Sequence, residues 1–274
     1  MEYGIRLARV GTLPSHPREI CQAQWRDALP AGTLRALYFG TEFCEDLLPG
    51  SDEAEAFCNQ ARDAGLEAVL MTPMVTPRGL QRVDRLLAEL AGRGWTPTVS
   101  FNDWGVLTLL RTTHTRSARR AGRLLNRGLR DPRLAQQAPQ PADLTQNRGE
   151  RQQALLLRSG VVGLETDPDL QGNYLPGAGA TLQRALHLPY AFAVSGRNCL
   201  IKAETLPAEA SFAKGLGQGC PGRCRERCLP VNRPDTPLPL WRAGNTLFYE
   251  VAAASAAAHL ERCDRIVLHE RPLP

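Results

Sequence analysis

The sequence lacks both an apolar run long enough to cross a membrane and an N-terminal segment of the signal-peptide type. The opening residues have no basic stretch leading into an apolar core with a small-residue cleavage site. No run approaches the roughly 20 apolar residues of a membrane helix. We therefore expect a protein without a membrane span that works in the cytoplasm, where thiols stay reduced. Disulfides are accordingly not the expected role of its eight cysteines.

Signatures of the common peptidases are missing as well. The sequence contains no His-Glu-x-x-His motif, and no Ser-His-Asp or Cys-His arrangement is recognisable. A peptidase is therefore the least favoured class of enzyme for this chain.

Lysine is nearly absent, and the basic residues are almost all arginine. The formal net charge of +5 is a mild excess that does not by itself indicate a nucleic-acid partner. The densest basic stretch, 111–133, could contact phosphates, but no aromatic residues suited to stacking on bases interleave with it. A solvated surface is the favoured interpretation, and nucleic acid stays a less favoured alternative partner.

Segments typical of strands and helices alternate along the chain. Strands are predicted at 37–40, 68–71, 96–101, 123–125, 161–164, 190–194, 246–251 and 265–268. Helices are predicted at 52–64, 76–92, 104–110, 181–187 and 252–260. This alternation predicts an α/β fold with a parallel sheet, and the number of units favours a (β/α) TIM-like barrel. We expect 1–274 to form a single domain of this kind, with an irregular loop around 133–150 and the cysteine cluster at 199–228.

The cysteine cluster is the strongest chemical signal in the chain. Cys220, Cys224 and Cys228 are equally spaced, with glycine and proline between the first two, and Cys199 lies upstream. Thiolates are soft ligands that must converge on one point to hold a metal or an iron–sulfur cluster. Cys44 follows a predicted strand, so in a barrel it can meet Cys199 at the rim where chemistry usually occurs. Thiolates at such spacings suit zinc almost as well.

Other candidate residues each carry two interpretations. Asn102 and Asp103 could orient a substrate at the rim, or cap the helix that follows them. Arg197 could bind an anionic ligand bidentately, or form a structural ion pair. Glu165 and Asp167 follow a strand, but surface turn carboxylates are commoner than acid–base pairs, so we assign no catalytic acid or base.

Several short motifs together resemble a known family. They are Phe43-Cys44 after the first predicted strand, Ser100-Phe101-Asn102-Asp103-Trp104-Gly105, Gly122-Arg123-Leu124-Leu125-Asn126 with Arg130-Asp131-Pro132, and Ser195-Gly196-Arg197-Asn198-Cys199 before a cysteine pair. In these the chain resembles the collagenase-like unassigned-peptidase family thirty-two, and within it the UbiV-like proteins of oxygen-independent ubiquinone biosynthesis. Two features depart from the family pattern: Asn198 stands between Arg197 and Cys199, and the gap from Cys199 to Cys220 is longer than usual.

The resemblance implies a barrel fold, a 4Fe-4S cluster and a role in O2-independent hydroxylation of an aromatic ring or an RNA base. It also implies prephenate as the oxygen donor and a heterodimer with a paralogous family member. Carried over by position, the cluster ligands are Cys44, Cys199, Cys220 and Cys224. Cys224 and Cys228 have the same spacing and remain an alternative final pair, and a zinc-stabilised binding module remains an alternative function.

Overall fold

Eight parallel strands close into a barrel in the computed structural model, which describes residues 1–20, 23–126, 130–136, 143–168, 182–197, 199–203, 220 and 222–274. The order of the strands around the barrel is β1-β12-β7-β6-β5-β4-β3-β2. The barrel strands are β1 (Glu2–Arg6), β2 (Thr33–Gly40), β3 (Glu67–Thr72), β4 (Thr98–Phe101), β5 (Arg119–Ala121), β6 (Gly163–Thr166), β7 (Gln183–Leu188) and β12 (Arg265–His269). The predicted (β/α) barrel is therefore confirmed.

Helices cover the outside of the barrel. They are α1 (Ala23–Arg26), α2 (Ser51–Asp63), α3 (Pro77–Gly92), α4 (Trp104–Thr112), α5 (Asp143–Arg158), α6 (Leu200–Ala203) and α7 (Ala253–Leu260). The start of α3 is set by its local sequence. Pro77 occupies the first turn, and the Thr76 hydroxyl caps the helix by accepting a hydrogen bond from the Gly79 N–H at 3.1 Å. No helix in the described part of the chain is long and apolar enough to cross a membrane.

A second, antiparallel sheet is inserted between β7 and β12. Its strands are β8 (Tyr190–Ser195), β9 (Leu229–Val231), β10 (Leu240–Ala243) and β11 (Thr246–Glu250), in the order β8-β11-β10-β9. The sequence analysis placed 190–194 and 246–251 among the units of the barrel, and both are strands of this second sheet instead. The sheet matters for function because the connection between β8 and β9 carries Cys199, Cys220, Cys224 and Cys228.

Three further expectations are wrong in whole or in part. The predicted helix at 181–187 is strand β7, because pairing with β6 and β12 overrides the helical pattern of a short segment. The predicted strand at 123–125 is a 3-10 turn after β5. The predicted loop at 133–150 contains the 3-10 turn Pro132–Gln136 and the beginning of α5, while 137–142 lie outside the described residues.

The apolar core lies mainly between the barrel and its helices. The largest group of buried apolar side chains joins β2, β3 and β4 to α2, α3 and α4. A second group packs Tyr3, Trp25 and the inner face of the second sheet against β7 and β12. The second sheet is thus fastened to the barrel through buried apolar contacts, which gives the cysteine-bearing connections a rigid base.

Candidate metal centre

Cys44 lies in the connection that leaves β2, at the C-terminal rim of the barrel. The backbone N–H of Cys44 donates to the Thr41 hydroxyl at 3.3 Å, and that hydroxyl also lies 3.0 Å from the Pro274 carbonyl oxygen. Directly after Cys44 comes the 3-10 turn Glu45–Leu47. The loop is therefore held at both ends of the cysteine, and its thiol is half-buried.

Cys199, Cys220 and Cys224 all lie in the connection between β8 and β9 of the second sheet. Cys199 precedes α6, and its sulfur accepts a hydrogen bond from the Lys202 N–H at 3.4 Å. The sulfur of Cys220 accepts one from the Gly222 N–H at 3.5 Å. Gly222 has a φ of +71°, a left-handed conformation that glycine adopts without strain. The glycine lets the chain turn between Cys220 and the buried Cys224.

Direct side-chain bonds tie the segments that carry the cysteines to one another. The Lys202 ammonium, in α6, lies 3.2 Å from an Asp46 carboxylate oxygen in the turn after Cys44. Arg225, beside Cys224, donates to the Leu47 carbonyl at 3.3 Å and to Glu53 at 2.7 Å. The Cys44 turn is therefore fastened to both the Cys199 helix and the Cys224 turn.

Asn245 makes a third connection at the same place. Its side-chain amide, in the turn between β10 and β11, donates to the carbonyls of Phe43 and Gly196, each at 2.6 Å. Its neighbour Gly244 has a φ of +58°, and a Cβ there would lie 3.3 Å from the Cys224 sulfur. The turn therefore needs a residue without a side chain next to Cys224, followed by an amide donor.

Four thiols influence one another electrostatically at this place. Burial, with smaller contributions from Cys220 and Cys199, raises the pKa of Cys44 to about 11. Burial likewise raises the pKa of Cys224 to about 12, with added repulsion from Cys44, Cys199 and Cys220. Cys199 and Cys224 also pack into one buried apolar cluster with Leu47 and Ile201, against which Cys44 lies. The structure thus brings together Cys44, Cys199, Cys220 and Cys224.

Cys228 belongs to a different environment. It packs against the cluster formed by Phe43, Tyr190, Phe192, Ala243 and Phe248. Burial raises the pKa of the Cys228 thiol to about 11, and Arg271 opposes that shift; no effect of the other cysteines appears. Of the two final pairs left open by the spacing, the geometry favours Cys220 with Cys224.

The remaining described thiols lie elsewhere. Cys58 is buried on the inner face of α2, as expected for a core residue, and Cys263 follows α7. Every cysteine that the structure describes is free of disulfide bonds. In the described residues, no three histidine, cysteine, aspartate or glutamate side chains are already arranged to hold one metal ion.

Asn102 and Asp103 both have structural hydrogen bonds. The Asn102 amide donates to the Thr72 carbonyl at 2.9 Å and accepts from the Leu124 N–H at 2.9 Å. Asp103 caps α4, because its carboxylate accepts from the Gly105 N–H at 2.7 Å. Capping is thus what the structure shows for Asp103, and a role for either residue in substrate binding stays a prediction. Arg197 is exposed at the end of β8.

A group of buried charges lies at the C-terminal ends of β1, β2, β5 and β6. Glu42 accepts from Arg6 at 2.9 Å and from Arg123, and Arg123 also donates to Asp167 at 2.9 Å. Arg6, Glu42 and Arg123 are essentially inaccessible to solvent. Sequence reasoning did not identify Arg6 or Glu42, and it wrongly took Asp167 for a surface carboxylate. The only feature of the sequence that could have indicated this site is that Glu42 and Arg123 directly follow segments that form barrel strands.

A second group of buried polar residues lies on strands β5, β6, β7 and β12. His187 bonds to Glu165 through Nε2 at 2.8 Å and to His269 through Nδ1 at 2.7 Å, and Arg120 is ion-paired with Glu165. Burial raises the pKa of Glu165, but Arg120 and His187 outweigh it and lower the pKa to about 2. Glu165 is therefore a buried anion in a salt bridge, not the surface turn carboxylate expected from the sequence.

The basic stretch at 111–133 does not form one surface strip. Arg120 and Arg123 point into the barrel, whereas Arg111, Arg116 and Arg133 are exposed. The part of the stretch that the structure describes therefore divides between interior ion pairs and solvent, which weakens the case for a phosphate-contacting surface.

Fold and site together define a (β/α) barrel with a group of thiols at its C-terminal rim. No protein-family model and no curated protein matches the chain. One solved structure that it resembles is that of Ostrinia furnacalis Group IV chitinase in complex with allosamidin, at 8% identity and a TM-score of 0.29. The match covers 97% of this chain and 91% of that chain. A TM-score this low carries no argument, so the class rests on strand topology and on the thiols.

Proposed function

We propose that this chain binds a 4Fe-4S cluster through Cys44, Cys199, Cys220 and Cys224 and acts in O2-independent hydroxylation, in anaerobic ubiquinone biosynthesis. The observation that carries the proposal is that Cys44, from the connection after β2, lies close to three thiols of the connection between β8 and β9, at the barrel rim where enzymes of this fold place their chemistry. The reaction itself rests on the family resemblance described above.

The residues at the rim fit such a cluster in two respects. Four cysteines are the ligand set of a 4Fe-4S cluster. The backbone N–H groups of Lys202 and Gly222 donate hydrogen bonds to the Cys199 and Cys220 sulfurs. Hydrogen bonds of this kind help to set the reduction potential of a bound cluster. One zinc ion needs all sulfurs about 2.3 Å from a single point, whereas a cluster binds each thiolate at a different iron and tolerates wider spacing.

The chain's own residues would hold and shield the group. Cys44, Cys199, Cys220 and Cys224 would supply the thiolates, and Leu47 and Ile201, which pack with Cys199 and Cys224, would limit the access of water. When bound, the cluster supplies electron-transfer chemistry, which depends on its solvent exposure and hydrogen bonds. The substrate would be a small aromatic molecule, with prephenate as the oxygen donor and a paralogous subunit as partner. The cytoplasm, where thiols stay reduced, would be its location.

Metal and sulfide analysis of the anaerobically purified protein tests the cofactor. We expect about four iron and four sulfide per chain. Cys44→Ala and Cys199→Ala should each lose the cluster, whereas Cys58→Ala, which removes a buried thiol of α2, should keep it. One zinc without sulfide would favour a zinc-stabilised binding module. Equal metal loss in all three variants would point to general destabilisation.

Quinone profiling of a deletion strain tests the reaction. We expect ubiquinone to fall only under anaerobic or microaerobic growth, because oxygen-dependent hydroxylases replace the activity in air. Unchanged anaerobic quinones would contradict the proposal. If a hydroxyl group were missing from ribosomal or transfer RNA instead, the substrate would be an RNA base.

A further inference from the structure

A short segment beyond β12 lies beside the candidate metal centre. It consists of residues 271–274, in the sequence Arg-Pro-Leu-Pro, and the last three are buried. Two prolines leave the segment only two backbone N–H donors, so it is poorly suited to extend β12 as a paired strand. In the part of the chain that the structure describes, no hydrogen bond between backbone groups holds these four residues. Side chains must therefore hold the segment in place.

Two polar side chains hold the segment through its carbonyl groups. Arg6 donates to the Leu273 and Pro274 carbonyls, at 3.0 and 2.9 Å, and the Thr41 hydroxyl lies 3.0 Å from the Pro274 carbonyl oxygen. The same hydroxyl accepts a hydrogen bond from the Cys44 N–H at 3.3 Å. The segment is therefore attached to the loop that carries Cys44. Because so few bonds hold it, it can open at a lower free-energy cost than the barrel.

The segment covers Cys224, which is the most buried of the four candidate ligands at 4% exposure. A Cβ on Gly244 would lie 3.3 Å from both the Cys224 sulfur and the Cβ of Pro274, so the thiol and the proline ring face the same small space. Leu273 is 6% exposed and lines a void of about 30 Å³ together with Leu47. Leu47 in turn packs against Cys224, so the void lies next to the wall of the thiol site.

Leu273 also separates this void from a much larger cavity. The larger cavity has a volume of about 870 Å³ and lies between the segments after β1 and β12 and the turn that carries Cys224. Leu273, Arg6 and Arg225 line both spaces. Leu273 is thus part of the wall between the wide cavity and the void beside the thiol site, and displacement of its side chain would join the two spaces.

We propose that residues 271–274 form a cover that opens as a unit and admits small solutes to Cys224 from the wide cavity. In the closed position, Leu273 and Pro274 keep water away from the thiol. In the open position, metal ions, sulfide and small redox reagents reach it. The proposal concerns access to a thiol, so it holds whichever metal or cluster the four cysteines bind and does not rest on the proposed function.

Alkylation of the full chain by iodoacetamide tests the cover. The chain is purified anaerobically and freed of metal with a chelator, and peptide mass spectrometry follows Cys224 and Cys58 at increasing urea. Cys58, which is 1% exposed on the inner face of α2, serves as the reporter of global unfolding. We expect Cys224 to react at least about tenfold faster than Cys58 at low urea. Its rate should barely depend on urea, because opening four residues exposes little surface.

Three variants locate the opening. Leu273→Ala should raise the alkylation rate of Cys224 by about tenfold or more, because the closed segment loses a buried apolar contact. Leu86→Ala removes a similarly buried leucine, 4% exposed, from α3. It should speed the alkylation of Cys58 and leave that of Cys224 at low urea unchanged, because α3 stays packed when the segment opens. Leu273→Met keeps most of the side-chain volume and should react nearly as the parent does.

Three results would overturn the proposal. If Cys224 and Cys58 had the same rate and the same urea dependence, Cys224 would be reached only when the barrel unfolds. If Cys224 reacted as fast in the folded chain as in the urea-unfolded chain, nothing would cover the thiol. An unchanged Cys224 rate in Leu273→Ala would assign the opening to a different segment. Because metal is removed beforehand, these results are separate from the test of the cluster.

Discussion

At the scale of single residues, the position of Cys228 distinguishes the two cysteine pairs that could complete the site. Three thiols at equal spacing offer two pairs that look alike in the sequence. In the structure the 3-10 turn Arg223–Arg225 directs Cys224 inward toward Leu47 and Cys199, and β9 then carries the chain into the second sheet. Cys228 precedes that strand and faces the aromatic cluster instead.

We predict that Cys220→Ala loses most of the iron and sulfide, whereas Cys228→Ala retains both. A missing ligand opens one corner of the cluster, while Cys228 only packs against aromatic rings. Iron and sulfide assays with visible absorbance on anaerobically purified variants provide the measurement. Normal iron in Cys220→Ala together with iron loss in Cys228→Ala would assign the final pair to Cys224 and Cys228.

The residues that sequence reasoning missed are charged ones inside the barrel. Cysteines separated by glycine and proline signal a site, because few other roles need that pattern. Arg6 and Glu42 give no such signal, since charged residues are nearly always exposed unless a partner far along the chain neutralises them. Their partnership spans 36 positions and exists only once β1 and β2 are neighbours.

At the scale of elements, the turn between β10 and β11 holds the cysteine segments in place. The Asn245 amide bonds to one carbonyl before Cys44 and another before Cys199. It is 5% exposed, so water cannot readily replace it. A turn of the second sheet thus fixes the spacing between a barrel loop and α6.

We predict that Asn245→Ala keeps all four ligands and yet loses cluster. The buried Phe43 carbonyl would lose its donor, at about 1–3 kcal/mol, and the Phe43 and Gly196 segments would no longer be joined through one side chain. Unfolding free energy and iron content of the same preparation should both fall. Asn232→Ala, at an exposed position, should change the unfolding free energy by no more than about 0.5 kcal/mol. If Asn245→Ala kept the iron content and stability of the parent, Asn245 would not be needed to hold the cysteine segments in place.

Elements with strong local signals were predictable, and those defined by tertiary pairing were not. The helix predicted at 52–64 is Ser51–Asp63, and the one predicted from Thr76-Pro77 begins at Pro77. Strand β5, by contrast, contains two arginines in three residues and carries no apolar alternation. Its backbone pairs with β4 on one side and β6 on the other, and these three strands become neighbours only in the closed barrel.

At the scale of the whole molecule, the barrel encloses charge as well as apolar surface. Alternation of elements was enough to predict the closed parallel barrel. The inserted antiparallel sheet was not predictable, because its strands resemble further βα units when read one at a time. The polar interior has a consequence for stability, since groups whose pKa differs between the folded and the unfolded chain make stability depend on pH.

We predict that stability falls as the pH drops below about 6.5, the usual pKa of histidine. Burial lowers the pKa of both His187 and His269, and Arg123 lowers both further; Arg6 also acts on His269, while Glu165 and Glu42 partly oppose the shift at His187. The unfolded chain therefore takes up protons that the folded chain excludes, at up to about 1.4 kcal/mol per pH unit for each histidine.

Glu165, with a pKa lowered to about 2 by Arg120 and His187 against the opposing effect of burial, stabilises the fold above its usual pKa. That contribution is lost only below about pH 4.5, so it does not overlap the histidine window. Urea unfolding under anaerobic conditions at pH 7.5 and 5.5 should therefore report the histidines. His269→Gln should reduce the difference between the two pH values, and the exposed His16→Gln should not. An unchanged difference in His269→Gln would mean that the buried pair takes up its protons without opening the barrel.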